Sequence, residues 1–156
     1  VAKYGVSPET VSSLRTHSGQ KVNVGAFSAK KTGQPEIGCR AVGPIKSPDG
    51  KPFEAYVRQA LIDELRVAEL LGESAPVTLT GNLNELEFSS ISGKWILDLS
   101  VSSSNGRTLN TREEFSYETS FIGEKGCALT AQAFPSAVQS LIGKLVRNPE
   151  LAGPLR

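Results

Sequence analysis

Apolar residues return along this chain at two spacings, and these divide it into helices and strands. Phe53, Val57, Ala60, Leu61, Leu65, Ala68 and Leu71 recur every three or four positions, the period of one helix face. The spacing predicts a helix over 53–71, opened by Pro52 and stopped by Gly72, with Glu54 facing Arg58 on its opposite side. Phe134, Val138, Leu141, Ile142 and Leu145 form a second stripe. Asn148-Pro149 ends it, because a residue before proline avoids the helical region. Pro135 lies inside this stretch, so the helix either begins there or carries a kinked earlier turn from Thr130. A short helix over 8–15 follows Ser7-Pro8-Glu9-Thr10, with serine as N-cap, proline at the first helical position and a carboxylate near the positive end of the dipole.

Elsewhere the alternation has period two. Val22, Val24 and Ala26 share one face of a strand over 21–27. After a polar loop over 29–35, Ile37, Cys39 and Ala41 share one face of the next, so the two read as a hairpin with Cys39 pointing inward. Ser47-Pro48-Asp49-Gly50 has turn chemistry. Val77, Leu79, Gly81 and Leu83 alternate in one phase and Leu86 and Phe88 in the other, which predicts a bulge near Asn84-Glu85. Trp95, Leu97, Leu99 and Val101 mark the next strand. Leu109, Thr111, Phe115, Tyr117 and Phe121 mark a last one over 108–120, whose even positions are polar. A two-residue turn at Asn105-Gly106 would set Leu99 against Arg112. A three-residue turn, Ser104-Asn105-Gly106, pairs Val101 with Leu109, Leu99 with Thr111 and Trp95 with Phe115, and glycine supplies its left-handed residue. That register leaves Glu113 beside Leu97 on the apolar face.

One polar sheet face and two amphipathic helices predict an α+β fold: a two-layer sandwich, with a mostly antiparallel sheet of about five strands and both main helices on one face. The length of 156 residues suits a single domain over 1–156, with 1–19 as an N-terminal extension carrying the short helix.

Composition narrows the function classes. Seventeen basic residues against sixteen acidic ones leave a net charge of +1, which offers no source for strong phosphate neutralisation and argues against nucleic-acid binding. There is no methionine, which implies removal of a preceding segment, and no apolar run is long enough for a membrane helix. Cys39 and Cys127 lie 88 positions apart, far from the spacing of a redox pair or a zinc site. Two buried thiols or one disulfide are the readings left. Export to an oxidising compartment, implied by N-terminal processing, favours a disulfide joining sheet to helix.

Catalytic signatures are scarce. The stretch from Gly43 to Gly50-Lys51 has too many intervening residues for a phosphate loop and ends in Pro52. A serine–histidine pair would have to use His17, the sole histidine, which reads as an exposed loop residue. Asp63 and Glu64 diverge on their helix and read as a solvated edge. Glu113 could serve as an acid or base, or be kept wet by a strand edge or bulge. Arg40 is expected on the outer face, paired with a glutamate. Lys30-Lys31 reads as a solvated hairpin tip, or as a basic tip near an anionic membrane surface. No catalytic, cofactor or metal site is expected, and the chain is read as no enzyme. Arg112, Glu114 and Glu118, on the polar face of the last strand, are the expected partner-facing residues, since such a face can be buried only against groups that satisfy it.

The stretches Ile37-Gly38-Cys39-Arg40, Tyr56 through Leu65, Ser103-Ser104-Asn105-Gly106 and Ala131-Gln132-Ala133-Phe134-Pro135 resemble uncharacterised lipoproteins of Gram-negative bacteria. The layout is similar to that of the ABC-transport auxiliary lipoproteins and, less closely, to the lipoprotein subunit of lipopolysaccharide assembly. This resemblance implies a non-enzymatic periplasmic domain, anchored to the outer membrane and acting as an accessory or adaptor in envelope transport or assembly. Its partner would be an envelope protein or a second copy of the chain. Membrane contact would run only through a lipid anchor outside these residues. The alternative is a carrier that binds a lipid or other apolar ligand between helices and sheet.

Overall fold

The computed structural model describes residues 4–156. The elements are α1 (Pro8–Arg15), β1 (Asn23–Ala29), β2 (Glu36–Cys39), β3 (Gly43–Lys46), α2 (Phe53–Val67), β4 (Thr78–Ser89), β5 (Lys94–Ser103), β6 (Thr108–Ser116) and α3 (Gly123–Arg147), closed by a 3-10 turn at Pro149–Leu151 and a one-turn α4 (Ala152–Leu155). Strands β1-β4-β5-β6 form one sheet in that order, and β2-β3 form a separate two-stranded one. The helices pack on the main sheet, so the fold is α+β. Among the described residues, no helix is long and apolar enough to cross a membrane.

The sheet differs from expectation in its first strand. Strands β1 and β2 do not form a hairpin: β1 runs parallel to β4, with Val24 beside Leu79 and Ala29 beside Leu83, while β2 pairs with β3. A parallel pair needs a long crossover, and the β2-β3 hairpin with α2 supplies it. The main sheet is therefore mixed and four-stranded instead of five-stranded. A register shift between Val24 and Phe27 exposes Ala26 and turns Phe27 partly inward. Cys39 does point inward, but Ala41 sits exposed in the turn to β3, which Arg40 enters at a φ of 50°.

The meander follows the parity argument. Strand β4 shifts register between Leu83 and Glu85, which brings Leu86 beside Leu97 and Phe88 beside Trp95. Across the next hairpin Val101 pairs with Leu109, Leu99 with Thr111 and Trp95 with Phe115, with Gly106 at a φ of 92°. Strand β6 ends at Ser116, four residues short of expectation: the Tyr117 N–H still bonds the Gly93 carbonyl at 2.9 Å, but Gly93 already belongs to the turn before β5, so the residues after Tyr117 have no strand to pair with.

Two helix ends also move. Helix α2 stops at Val67, not Leu71. Glu69 takes a left-handed φ of 63°, the Leu70 N–H bonds the Leu65 carbonyl, and Leu71 forms an isolated bridge to Val22. The last apolar residues of the stripe thus serve the edge of β1. Helix α3 begins at Gly123, ahead of both predicted starts, and runs through Pro135. Its early turns are held by the Cys39–Cys127 disulfide and by the Trp95 indole N–H, which donates to the Thr130 carbonyl at 2.9 Å.

The core lies between the helices and the inner sheet face. Trp95, Leu97 and Leu99 are fully buried, as are Val57, Ala60, Val138 and Leu141 from the helices. Phe134 stacks within 5.0–5.3 Å of Trp95, Phe53 and Tyr56. Helix α1 adds Val11 and Leu14 to this core, so the N-terminal extension from Tyr4 onward packs as part of the body.

Candidate functional site: one apolar end and a polar sheet face

Three loops converge beside the disulfide. The Cys39–Cys127 bond, with an S–S distance of 2.06 Å and both residues buried, ties the end of β2 to the first turn of α3. Next to it, the Arg40 guanidinium donates to the Ser90 hydroxyl at 2.8 Å, to the Phe121 carbonyl at 3.0 Å and to the Ser120 carbonyl at 3.2 Å. Its partners are loop oxygens, not the glutamates of the sequence-based expectation. The left-handed turn at Arg40 swings its side chain off the strand plane and toward the loops that end β4 and precede α3.

The same loops carry exposed apolar side chains. Among the described residues, five large hydrophobic side chains are exposed, and four of them belong here: Val42 at 45%, Ile91 at 61%, Phe121 at 88% and Ile122 at 68%. Val42 packs over Gly123, where an added Cβ would meet its Cγ2 at 3.0 Å. Several backbone polar groups beneath the patch are satisfied internally. Arg40 holds two carbonyls, the Ile122 N–H bonds the Ser120 hydroxyl at 3.1 Å, and the Thr119 hydroxyl donates to the Ser90 carbonyl. An apolar patch on a braced scaffold, with these carbonyls and hydroxyls already paired, can be covered at a lower cost in stranded polar groups.

The polar face of the sheet lies on the side away from the helices. Asn84, at the bulge, donates to Asp98 at 2.9 Å and to Ser100 at 2.8 Å, and Ser100 donates to Asn110 at 2.8 Å. Arg112 bonds Glu85 and stands 3.7 Å from Asp98. Its already high pKa is raised further, first by the hydrogen bond to Glu85. Glu114 pairs with Lys94 at 3.6 Å. Glu118 lies past the end of β6 and is exposed. The structure therefore places Arg112 and Glu114 on one face, each with a partner inside the chain, and sets Glu118 apart from the ladder.

Other singled-out residues turn out to be structural. Glu113 does sit opposite Leu97, with no bulge to carry it away; the Ser140 hydroxyl bonds it and the Lys144 ammonium stands 4.0 Å away, both from α3. Glu64 is no solvated edge. It is fully buried and accepts the Tyr4 hydroxyl at 2.5 Å and the Ser7 N–H at 3.2 Å. Burial raises its pKa, and those two hydrogen bonds partly offset the rise. Glu54 does not meet Arg58: Glu54 accepts the Gly33 N–H at 2.7 Å, while Arg58 donates to the Gly25 carbonyl at 2.7 Å and the Val24 carbonyl at 3.1 Å. Both stitch α2 to the flank of β1. His17 is half-buried in the turn after α1. Sequence reasoning missed the apolar end because its residues sit in three loops far apart in the chain. Phe121 followed by Ile122 after a strand was the available signal, and it read as strand continuation.

No family model and no curated protein matches this chain. Among solved structures it is similar to the crystal structure of protein XCC0632 from Xanthomonas campestris, described under family DUF330, with a TM-score of 0.54, 13% sequence identity and 85% of each chain covered. At that identity the likeness is one of fold.

Proposed function

We propose that this chain is a non-enzymatic periplasmic domain of a Gram-negative cell envelope that docks, through its apolar end, onto an envelope protein. In this reading it is an accessory in transport or assembly, held near the outer membrane by a lipid tether outside these residues. The observation that carries the proposal is the gathering of Val42, Ile91, Phe121 and Ile122 around the Arg40 brace. A disulfide at the root of this patch fits an oxidising compartment. The fold likeness to a Xanthomonas protein fits a Gram-negative setting.

Docking is favoured over carriage because the space between helices and sheet is filled by Trp95, Phe53, Phe134 and their neighbours. A carrier of lipid needs a large apolar cavity there. The apolar end is also a better anchor than the sheet face, where Arg112 and Glu114 are already engaged within the chain. The test is site-specific photo-crosslinking in periplasm, with the probe placed at Phe121 or at Glu114. A defined envelope protein captured from Phe121, and lost in a Val42→Ser, Ile122→Ser variant of unchanged fold, is expected. Capture from Glu114 alone would move the docking surface to the sheet face and overturn the proposal.

A further inference from the structure

The two edges of the main sheet are treated differently. At β6 the Lys144 ammonium donates to the Arg112 carbonyl at 2.6 Å and covers an outward-facing group of the edge. At the other edge, β1 pairs with β4 only as far as Leu83. Beyond the bulge, Glu85, Glu87 and Ser89 pair with Asp98, Ile96 and Lys94 of β5, and Ser89 accepts the Gly93 N–H at 2.9 Å. Alternate residues of an antiparallel strand turn their backbone groups to opposite sides. The N–H and C=O of Leu86 and Phe88 therefore face away from β5. Among the described residues, no strand pairs with them there. An open edge of this kind invites a further strand.

What lies beside it is a trough. One wall is this edge and the other is Ile37 of β2; the part-buried Ile37 and Leu86 supply its accessible apolar surface, while Phe53 and Leu83 line it but are buried. The cleft measures about 480 Å³ and continues past Ile37 into a second hollow that reaches Arg40 and Ile91. Its charges are ordered. Lys30 and Lys31 lie at the end next to β1; four carboxylates also line the cleft, of which Glu85 and Asp98 are engaged by Arg112 and Glu54 by the Gly33 N–H, while Glu87 has no side-chain partner among the described residues.

We propose that the trough binds an extended peptide segment of a partner protein, which adds to the sheet as a strand along Leu86–Phe88. The segment alternates. Its apolar side chains point toward Ile37 and Leu86. A cationic side chain on the opposite side meets Glu87, and an acidic end meets Lys30 and Lys31. The proposal is independent of docking at the apolar end, and a Phe121→Ser change leaves it intact.

The test uses the full chain and a fluorescein-labelled peptide of alternating valine and lysine that ends in two aspartates, with a scrambled peptide of the same composition as control. Anisotropy is expected to show binding of the alternating peptide, with amide shifts at Leu86 and Phe88. Leu86→Pro removes an N–H that the ladder with β5 does not use and is expected to weaken binding about tenfold or more. Glu87→Lys is expected to weaken it about threefold or more, as loss of an exposed ion pair would. If Leu86→Pro does not fold, Ile37→Glu, which puts a charge on the opposite wall, takes its place with the same expected loss. Equal binding of the scrambled peptide, no binding at millimolar concentration, or an unchanged affinity in the folded variants overturns the proposal. Self-association that Leu86→Pro abolishes, without peptide binding, would assign the edge to a second copy of the chain and overturn it likewise.

Discussion

The Tyr4 hydroxyl donates to the Glu64 carboxylate across 2.5 Å, and the Ser7 N–H approaches the same group at 3.2 Å, so a fully buried acid of α2 fastens the segment that leads into α1. A carboxylate is costly to bury without partners. Here the partners come from a part of the chain nearly sixty residues away.

This relationship predicts a pH dependence. Burial raises the pKa of Glu64 above its ordinary 4.5 in the folded state. The folded protein therefore holds this proton to higher pH than the unfolded chain does, and stability from the group is full below about 4.5 and falls as pH rises through the folded value. Urea unfolding followed from pH 4 to pH 8 is expected to show that fall, and Glu64→Gln to remove it. Tyr4→Phe takes away a hydrogen bond that holds the pKa down, so the fall should shift to higher pH. An identical pH profile in Glu64→Gln would show that another group governs it.

A second expectation concerns the bond between β2 and α3. It closes a loop of 88 residues, for which chain entropy alone gives about 4–5 kcal/mol of stabilisation. Reduction, or a Cys39→Ser, Cys127→Ser variant, should lower the unfolding free energy by an amount of this order. Hydrogen exchange should rise first in the loops that Arg40 braces, since they lie next to the lost link. Thiol titration of the unfolded, unreduced protein should find no free thiol.

Gly93 provides a third. It sits at a φ of 72°, and an added Cβ would lie 2.3 Å from the Tyr117 carbonyl, whose own N–H bonds the Gly93 carbonyl. Gly93→Ala combines left-handed strain of about 1–2 kcal/mol with a clash against backbone that cannot rotate away. It should destabilise the protein by at least that amount in thermal unfolding and loosen residues 117–122. Gly106→Ala is the comparison: its φ is 92°, but nothing lies within 4 Å of an added Cβ, so only the strain should be felt.

The sequence by itself determined whatever depends on neighbours along the chain. Side-chain parity is set by the period of two, so the register of β5 on β6, the three-residue turn at Gly106 and the bulge after Leu83 could all be read from one strand and the next. The apolar stripes of α2 and α3 likewise showed which faces are buried, because a helix face is a local property. Tertiary structure decided the pairings and polar contacts that join distant segments. Periodicity marks Val22 and Val24 as inward but shows neither the shift that exposes Ala26 nor which strand lies beside β1, and β4 wins that place through a crossover of nearly fifty residues. Glu64 stands at the spacing of the buried stripe, three and four residues after Leu61 and Ala60; only its charge reads as solvated, and the burial is tolerated because Tyr4 and Ser7 reach it. Phe121 has the parity of a core residue and is exposed because its partner strand β5 begins only at Lys94, so β6 runs out of pairing at Tyr117. The apolar end and the open edge of β4 arise in the same way, from where loops and strands stop. Those endpoints are fixed by hydrogen bonds between residues that no local pattern brings together.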